Sequence, residues 1–258
     1  MPSRRDSNSR WPFALVAALL AVAGCSDPQP AQSVDKPKLG LLTSLPILWS
    51  GSDAFAALAT GDDNAAHWMV GTIERDYVLD PLDTLTDESL APIDLLVLAQ
   101  PRILTPQENV ALDDWVRGGG HILIFADPQL AGDSDFPLGD PRRPLDTALL
   151  SPILDRWGLV LVHDLDRETV RTVTLGDADM AVVAAGKFET SVAEGAACAT
   201  RFEQILAECM VGEGRAVLLA DATLVEDRVG GPGSPAALRA LLGMAREEVR
   251  ENAGETRK

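Results

Sequence analysis

The sequence predicts an α/β fold, in which a mainly parallel sheet carries helices on both faces. Short apolar runs rich in valine, leucine and isoleucine recur between helical patterns. They cover residues 39–42, 95–99, 122–126, 159–162 and 216–220. Since these runs do not alternate with polar residues, they indicate strands buried on both faces. The segment 168–202 has shorter alternating runs and many turn residues, which predicts an antiparallel excursion at the edge of the sheet in the C-terminal half.

Three amphipathic helices are predicted between these strands. The best-marked one begins after Thr105, where a capping threonine is followed by proline and then by an acid three positions on, and it ends at Gly118. The other two are predicted from Leu145 to Trp157 and from Ser234 to about Val249, each with one apolar face. The Gly118–Gly120 run follows a helix and precedes a strand. That order is the reverse of a phosphate-binding loop, so these glycines are assigned to a chain reversal.

The first 24 residues have the pattern of a lipoprotein signal peptide. Three arginines precede an apolar run, residues 11–23, that is too short to span a bilayer as a helix. The run ends in Val22-Ala23-Gly24-Cys25, which resembles the lipobox of bacterial lipoproteins. The resemblance implies cleavage before Cys25 and acylation of its sulfur, with more than one acyl chain for stable anchoring. The alternative is an ordinary signal peptide with a chance cysteine.

Four segments follow from this pattern. Residues 1–24 are the signal peptide, and residues 25–36 are a polar, proline-bearing tether. Residues 37–251 are predicted to form a single α/β domain, followed by a polar tail at 252–258. We therefore expect a protein of the cell envelope that faces the periplasm and is held by lipid on Cys25, in either the inner or the outer membrane.

The chain is strongly acidic, with a formal net charge of -17. Removing the signal region takes away three arginines and one aspartate and leaves a mature charge of about -19. Such a surface repels phosphate backbones, which argues against nucleic acid as a partner. The simpler interpretation of the acidity is solubility.

Two cysteines remain after Cys25. Cys198 and Cys209 form an even pair in an oxidising compartment and are close enough in sequence to close a short loop, which predicts a disulfide. Such a bridge contributes about 2–3 kcal/mol in the chain-entropy model. The alternative is two buried free thiols. A metal site is not predicted, because the three histidines show no ligand-like spacing to these cysteines, and no cofactor is predicted either.

Polar side chains follow several of the predicted strands. Asp127 and Asp221 each come directly after a buried run, and Gln100 and Arg102 follow the run at 95–99. In open α/β folds the carboxyl ends of parallel strands bind ligands, so these residues and Trp49 are candidates for a ligand or partner edge. The alternative is structural: Asp127 opens a turn, Asp221 caps the next segment and Trp49 is partly buried core.

Four consecutive motifs point to a family. They are a strand at 93–101, a capped helix start at 104–108, a helix end with three glycines at 112–120, and a strand closed by Asp-Pro at 122–128. This order resembles the auxiliary domain of uncharacterised ABC-type transport systems, including gliding-motility-type components, and extends loosely from Lys38 to Leu224. The resemblance implies a fold similar to class I glutamine amidotransferases (flavodoxin-like) without their chemistry, and a role beside ABC transporter subunits.

Catalysis of the amidotransferase kind needs a cysteine on a glycine-flanked elbow with a histidine and an acid. Cys209 lies in Ala207-Glu208-Cys209-Met210-Val211, without flanking glycines, and His163 has no visible nucleophile partner. We therefore expect a non-catalytic, membrane-tethered lipoprotein that binds a partner or small ligand, as an accessory to an ABC transporter. Two alternatives stay open: an envelope hydrolase of unfamiliar type that uses Asp127 and Asp221, and a purely structural envelope protein.

Overall fold

The computed structural model describes residues 36–48, 67–132, 134, 136–137, 139–140, 143–164, 170–226 and 230–247. The predictions for Cys25, for Trp49 and for the tail 252–258 lie outside the described residues. Among the residues that are described, no helix has both the length and the apolar character needed to cross a bilayer.

The strands and helices alternate through the first half of the chain, and strands dominate the second half. The strands are β1 (Lys38–Thr43), β2 (Val78–Pro81), β3 (Leu95–Ala99), β4 (His121–Phe125), β5 (Leu159–Val162), β6 (Val170–Leu175), β7 (Ala178–Val183), β8 (Lys187–Thr190), β9 (Ala196–Arg201), β10 (Leu206–Val211) and β11 (Gly214–Leu219). The helices are α1 (Trp68–Ile73), α2 (Asp87–Leu90), α3 (Pro106–Arg117), α4 (Ser151–Arg156), α5 (Thr223–Glu226) and α6 (Ser234–Arg246).

The main sheet has seven strands in the order β2-β1-β3-β4-β11-β10-β9. Strands β2, β1, β3, β4 and β11 are parallel, while β10 and β9 continue the sheet in antiparallel fashion. Both faces of the inner parallel strands β1, β3, β4 and β11 are covered. In β3, for example, Leu95 and Val97 pack with α1 and α6, and Leu96 and Leu98 pack with α3 and α4. The predicted α/β fold with a mainly parallel sheet is therefore confirmed.

The antiparallel part also agrees with the prediction, with one correction. Residues 159–162 form a strand, but β5 does not join the main sheet and instead pairs with β8 in a separate two-stranded sheet. The burial pattern explains this, because Val160 is 44% exposed and the strand needs cover on only one face. Strands β6 and β7 form a second small antiparallel sheet.

Helix α3 begins with the predicted capping box. The Thr105 hydroxyl accepts from the Glu108 N–H at 3.2 Å, and a Glu108 carboxylate oxygen accepts from the Thr105 N–H at 2.8 Å. Two orphan backbone donors are thereby satisfied by side chains only three residues apart. Gly118 ends the helix and Gly119, at φ 106°, makes the reversal into β4, so the structural assignment of these glycines is confirmed.

The helix predicted from Leu145 to Trp157 begins only at Ser151. Residues 145–150 instead form an irregular connection, because their backbone groups bond to other parts of the fold. The Leu145 carbonyl accepts from the Gln100 side chain at 2.9 Å, and the Ala148 N–H donates to the Asp127 carbonyl at 2.7 Å. Backbone groups used in this way are not free for helical hydrogen bonds.

Cys198 and Cys209 form the predicted disulfide. The two residues lie directly opposite each other in the antiparallel pairing of β9 and β10. The bridge therefore ties the edge strand β9 to the rest of the main sheet.

Candidate functional site

Three of the predicted polar residues meet at the carboxyl edge of the main sheet. Gln100, Asp127 and Asp221 follow β3, β4 and β11, which are neighbours in the sheet. All three side chains are fully buried. The parallel connections therefore bring together residues that lie up to 121 positions apart in the sequence.

Gln100 connects the ends of several strands. Its side-chain oxygen accepts from the Asp127 N–H at 2.9 Å, and its amide nitrogen donates to the carbonyls of Asp127 (3.2 Å) and Leu145 (2.9 Å). Its own carbonyl accepts from the Ser44 hydroxyl at 2.5 Å. The Gln100 backbone adopts φ 44°, a strained conformation that non-glycine residues seldom take. The hydrogen bonds of its side chain and carbonyl offset the cost of this strain.

Asp127 holds the connection after β4. One carboxylate oxygen accepts from the Gln129 N–H at 2.8 Å, and the other accepts from the Ala222 N–H at 3.1 Å. Burial raises the pKa of Asp127 to about 7, the nearby charge of Glu226 acts in the same direction, and the two backbone hydrogen bonds oppose the shift.

Asp221 plays the matching role after β11. It accepts from the Val183 N–H at 2.9 Å and from both the N–H (2.8 Å) and the hydroxyl (3.2 Å) of Thr223. Burial raises the pKa of Asp221 to about 8, and the neighbouring Asp127 carboxylate raises it further because two like charges repel in a medium of low dielectric. Asp221 therefore holds its proton more tightly than an ordinary aspartate does.

Arg102 lies away from these acids and binds the capping acid of α3. Its guanidinium donates to both carboxylate oxygens of Glu108, at 2.9 and 2.5 Å, and to the Asp83 carbonyl at 2.6 Å. The hydrogen bond from Arg102 lowers the pKa of Glu108 to about 2, against the opposing effect of burial. Arg102 thus fastens the α3 N-terminus to the loop after β2.

The carboxyl edge is consequently closed by the chain itself. Each carboxylate oxygen of Asp127 and Asp221 accepts a hydrogen bond from within the fold, and neither side chain has exposed surface. This geometry favours the structural interpretation of the two aspartates that the sequence left open. Over the described ranges, no group of three or more histidine, cysteine, aspartate or glutamate side chains is placed to hold a metal ion.

A second polar cluster lies at the opposite, amino edge of the sheet, and the sequence did not single it out. Asp113, on α3, is fully buried. It accepts from Arg117 Nε at 3.0 Å, from Arg156 Nε at 2.8 Å and from Trp157 Nε1 at 2.9 Å. The available signal was an acid within the apolar stripe of α3 with an arginine four residues later, which is the spacing of a helical ion pair.

A groove of about 620 Å³ opens beside this cluster. It lies between the end of α4 and the connection from β8 to β9. Its lining residues are Arg117, Asp155, Arg156, Val192, Ala193, Glu194 and Gly195.

Known proteins resemble parts of this fold. A protein family described as "ABC-type uncharacterized transport system" matches residues 36–166, whereas no curated protein matches the chain. Among solved structures, the chain is similar to a ThuA-like protein from Bacteroides uniformis ATCC 8492, with 12% identity and a TM-score of 0.46 over 84% of this chain and 95% of that one.

Two glycosidase structures are also similar. A β-galactosidase from the Antarctic haloarchaeon Halorubrum lacusprofundi shares 16% identity at a TM-score of 0.42, over 82% of this chain and 30% of that one. An exo-β-1,4-mannosidase from an Opitutaceae bacterium shares 14% identity at a TM-score of 0.44, over 81% of this chain and 36% of that one.

Proposed function

Because this chain belongs to the ABC-type uncharacterized transport system family, we propose that it is a non-catalytic accessory of such a system, which binds a partner or small ligand at the cell envelope. The family match over residues 36–166 includes the four motifs between residues 93 and 128 that carried the resemblance in the sequence. Membership indicates an auxiliary part in transport, and such a part fits a place at the envelope.

The observation that carries the non-catalytic part of this proposal is the closed carboxyl edge. A catalytic acid or base must come within hydrogen-bond reach of its substrate. Asp127 and Asp221 are fully buried and bind backbone donors of the chain itself. This arrangement supports a rigid scaffold at that edge, with binding carried by another surface of the domain.

Anchoring through lipid on Cys25 is part of the same proposal. Its support is the lipobox-like run Val22-Ala23-Gly24-Cys25 in the sequence, together with a transport family that fits a place at the envelope. A lipid on Cys25 would hold the domain through residues 25–36, whose fully extended length is at most about 40 Å. That distance is short enough to keep the domain beside membrane subunits of a transporter.

The test is isolation of the full lipidated protein from its own membranes, followed by mass spectrometry of the proteins bound to it. We expect ABC transporter subunits to be enriched at least tenfold over a mock purification. The matched control is Cys25→Ser, which should move the protein out of the membrane fraction and abolish the enrichment. Failure to recover any transporter subunit with the lipidated wild type would contradict the accessory role.

An envelope hydrolase that uses Asp127 and Asp221 is the second candidate. The observation in its favour is the pair of raised pKa values, about 7 and about 8, because such shifts concentrate at functional sites. Asp221→Asn separates the two functions. An enzyme would stay folded and keep its partners while losing turnover, whereas in a binding module any loss would follow the stability of the fold.

A further inference from the structure

We propose that the groove at the amino edge is the docking site for a mixed-charge segment of a transporter subunit near the membrane surface. This docking role rests on the accessory function proposed above. The groove is lined by both signs of charge, with Arg117 and Arg156 as the basic residues and Asp155 and Glu194 as the acidic ones. A fully exposed valine, Val192, stands beside them.

Arg156 supplies a free donor to this groove. Its Nε and Nη2 atoms bind the Asp113 carboxylate, while Nη1 makes no hydrogen bond to any described residue. The side chain is 51% exposed, so this nitrogen is available to a partner's carboxylate. The guanidinium plane is already fixed by Asp113, which reduces the rotamer entropy that binding would otherwise cost.

The connection that carries Val192 is held firmly on both sides. The Ser191 N–H donates to the Gly158 carbonyl at 2.8 Å, and the Gly212 N–H donates to the Gly195 carbonyl at 2.9 Å. Arg117 donates to the carbonyls of Glu194 (3.3 Å) and Gly195 (3.1 Å). An apolar side chain that is fully exposed on a well-braced connection is a preorganised contact for a partner.

The charged residues that line the groove determine which kind of partner fits it. The Asp113 carboxylate neutralises one of the two guanidinium groups, and two further carboxylates face the groove. An anionic membrane surface would be repelled by these carboxylates and by the acidic chain as a whole. A polypeptide segment with an acidic side chain for Arg156, a basic one for Asp155 or Glu194 and an apolar one against Val192 matches all three features.

The register of the sheet places the groove at the edge where β1 begins. The chain enters β1 at Lys38, and β1 is parallel to β3, β4 and β11. Gly214 at the start of β11 pairs with Val211, which in turn pairs with Ala196, the residue that follows the groove. Lys38 and the groove therefore lie at the same, amino edge of the sheet. They are separated by five strand spacings, about 24 Å.

The experiment uses the full lipidated chain in its own cells with a photoreactive benzoylphenylalanine in place of Val192. We expect crosslinks to a membrane subunit of an ABC transporter, mapped by mass spectrometry to a segment that contains both acidic and basic side chains. The matched control carries the same group at Val170, an exposed valine on β6. This strand packs with α6 on the other side of the main sheet, so the control should give less than a tenth of the yield.

Charge reversal provides a second measurement that does not disturb the fold. Glu194 and Asp155 are exposed, and their side chains make no hydrogen bond that the core depends on. Glu194→Lys or Asp155→Lys should lower the crosslink yield from position 192 at least fivefold, with an unchanged Tm. Arg156→Gln should lower it as well, but its Tm must be measured alongside because Arg156 also binds Asp113.

Four other results of the crosslinking experiment would overturn the docking proposal. Crosslinks to lipid would assign the groove to the membrane surface, and crosslinks to residues 25–35 or to a second copy would assign it to the chain itself. Equal yields at positions 192 and 170, or yields insensitive to charge reversal, would refute the site. If transporter subunits still co-purify in those cases, only the site is wrong. If none co-purify, the accessory function fails together with it.

Discussion

Replacing Asp113 by alanine should be among the most destabilising single changes in this protein. The aspartate is fully buried on α3 and accepts hydrogen bonds from Arg117, Arg156 and Trp157. It thereby joins α3 to the end of α4. Burial by itself would raise the pKa of Asp113, but the hydrogen bonds from the two arginines and the tryptophan outweigh it, so the pKa lies below the ordinary value.

The magnitude follows from what alanine leaves behind. Trp157 is 1% exposed, so its indole N–H would lose its partner in a dry environment, which costs about 1–3 kcal/mol. The two guanidinium groups are 28% and 51% exposed and can recover water, so each lost ion pair counts for only about 0.5–1 kcal/mol. Together these effects predict a loss of about 2–5 kcal/mol in the free energy of unfolding.

The assay is urea unfolding followed by far-UV circular dichroism. The matched control is Asp114→Ala, which removes the same group from the adjacent, exposed position of the same helix. That control should change the free energy of unfolding by less than about 0.5 kcal/mol. A loss below about 1 kcal/mol for Asp113→Ala, or equal losses for both variants, would refute the assignment of Asp113 as a buried structural acid.

Three further predictions concern the carboxyl edge and the disulfide. The folded-state pKa values of Asp127 (about 7) and Asp221 (about 8) exceed that of an unfolded aspartate, so the folded state holds these protons more tightly. The free energy of unfolding should therefore fall as the pH rises from about 4 to 8. Each acid contributes at most about 1.4 kcal/mol per pH unit to this fall. Tm measured from pH 5 to 9 should show a shallower slope in Asp221→Asn than in the wild type; identical slopes would count against the shift. Gln100→Leu leaves the Asp127 N–H and the Leu145 carbonyl without these partners, while the Asp127 carbonyl keeps the Ala148 N–H, so urea titration should show a loss of about 2–4 kcal/mol. A neutral result would contradict the bridging role. Reducing the Cys198–Cys209 bridge should lower stability by about 2–3 kcal/mol, and a Cys198→Ser, Cys209→Ser double variant should then be insensitive to reductant.

Features that depend on nearby residues could be predicted from the sequence. The α3 capping box involves two residues three positions apart, and the glycines after it determine the reversal into β4. Continuous apolar runs identified β3, β4 and β11 because a strand covered on both faces needs apolar residues at every position. The disulfide was predictable because, with Cys25 interpreted as a lipidation site, Cys198 and Cys209 are the pair that is left.

The sequence by itself determined the fold class, the family, the best-capped helix and the acidity of this protein, because local patterns of polarity and turn residues encode them. Only the tertiary structure decided that β5 leaves the main sheet, that the helix expected at Leu145 starts at Ser151, and that Asp127 and Asp221 are enclosed rather than open at the sheet edge. The physical reason is the same in each case. Strand partners, and the donors that satisfy a buried carboxylate or carbonyl, come from residues tens of positions away, and their arrangement exists only once the chain has folded.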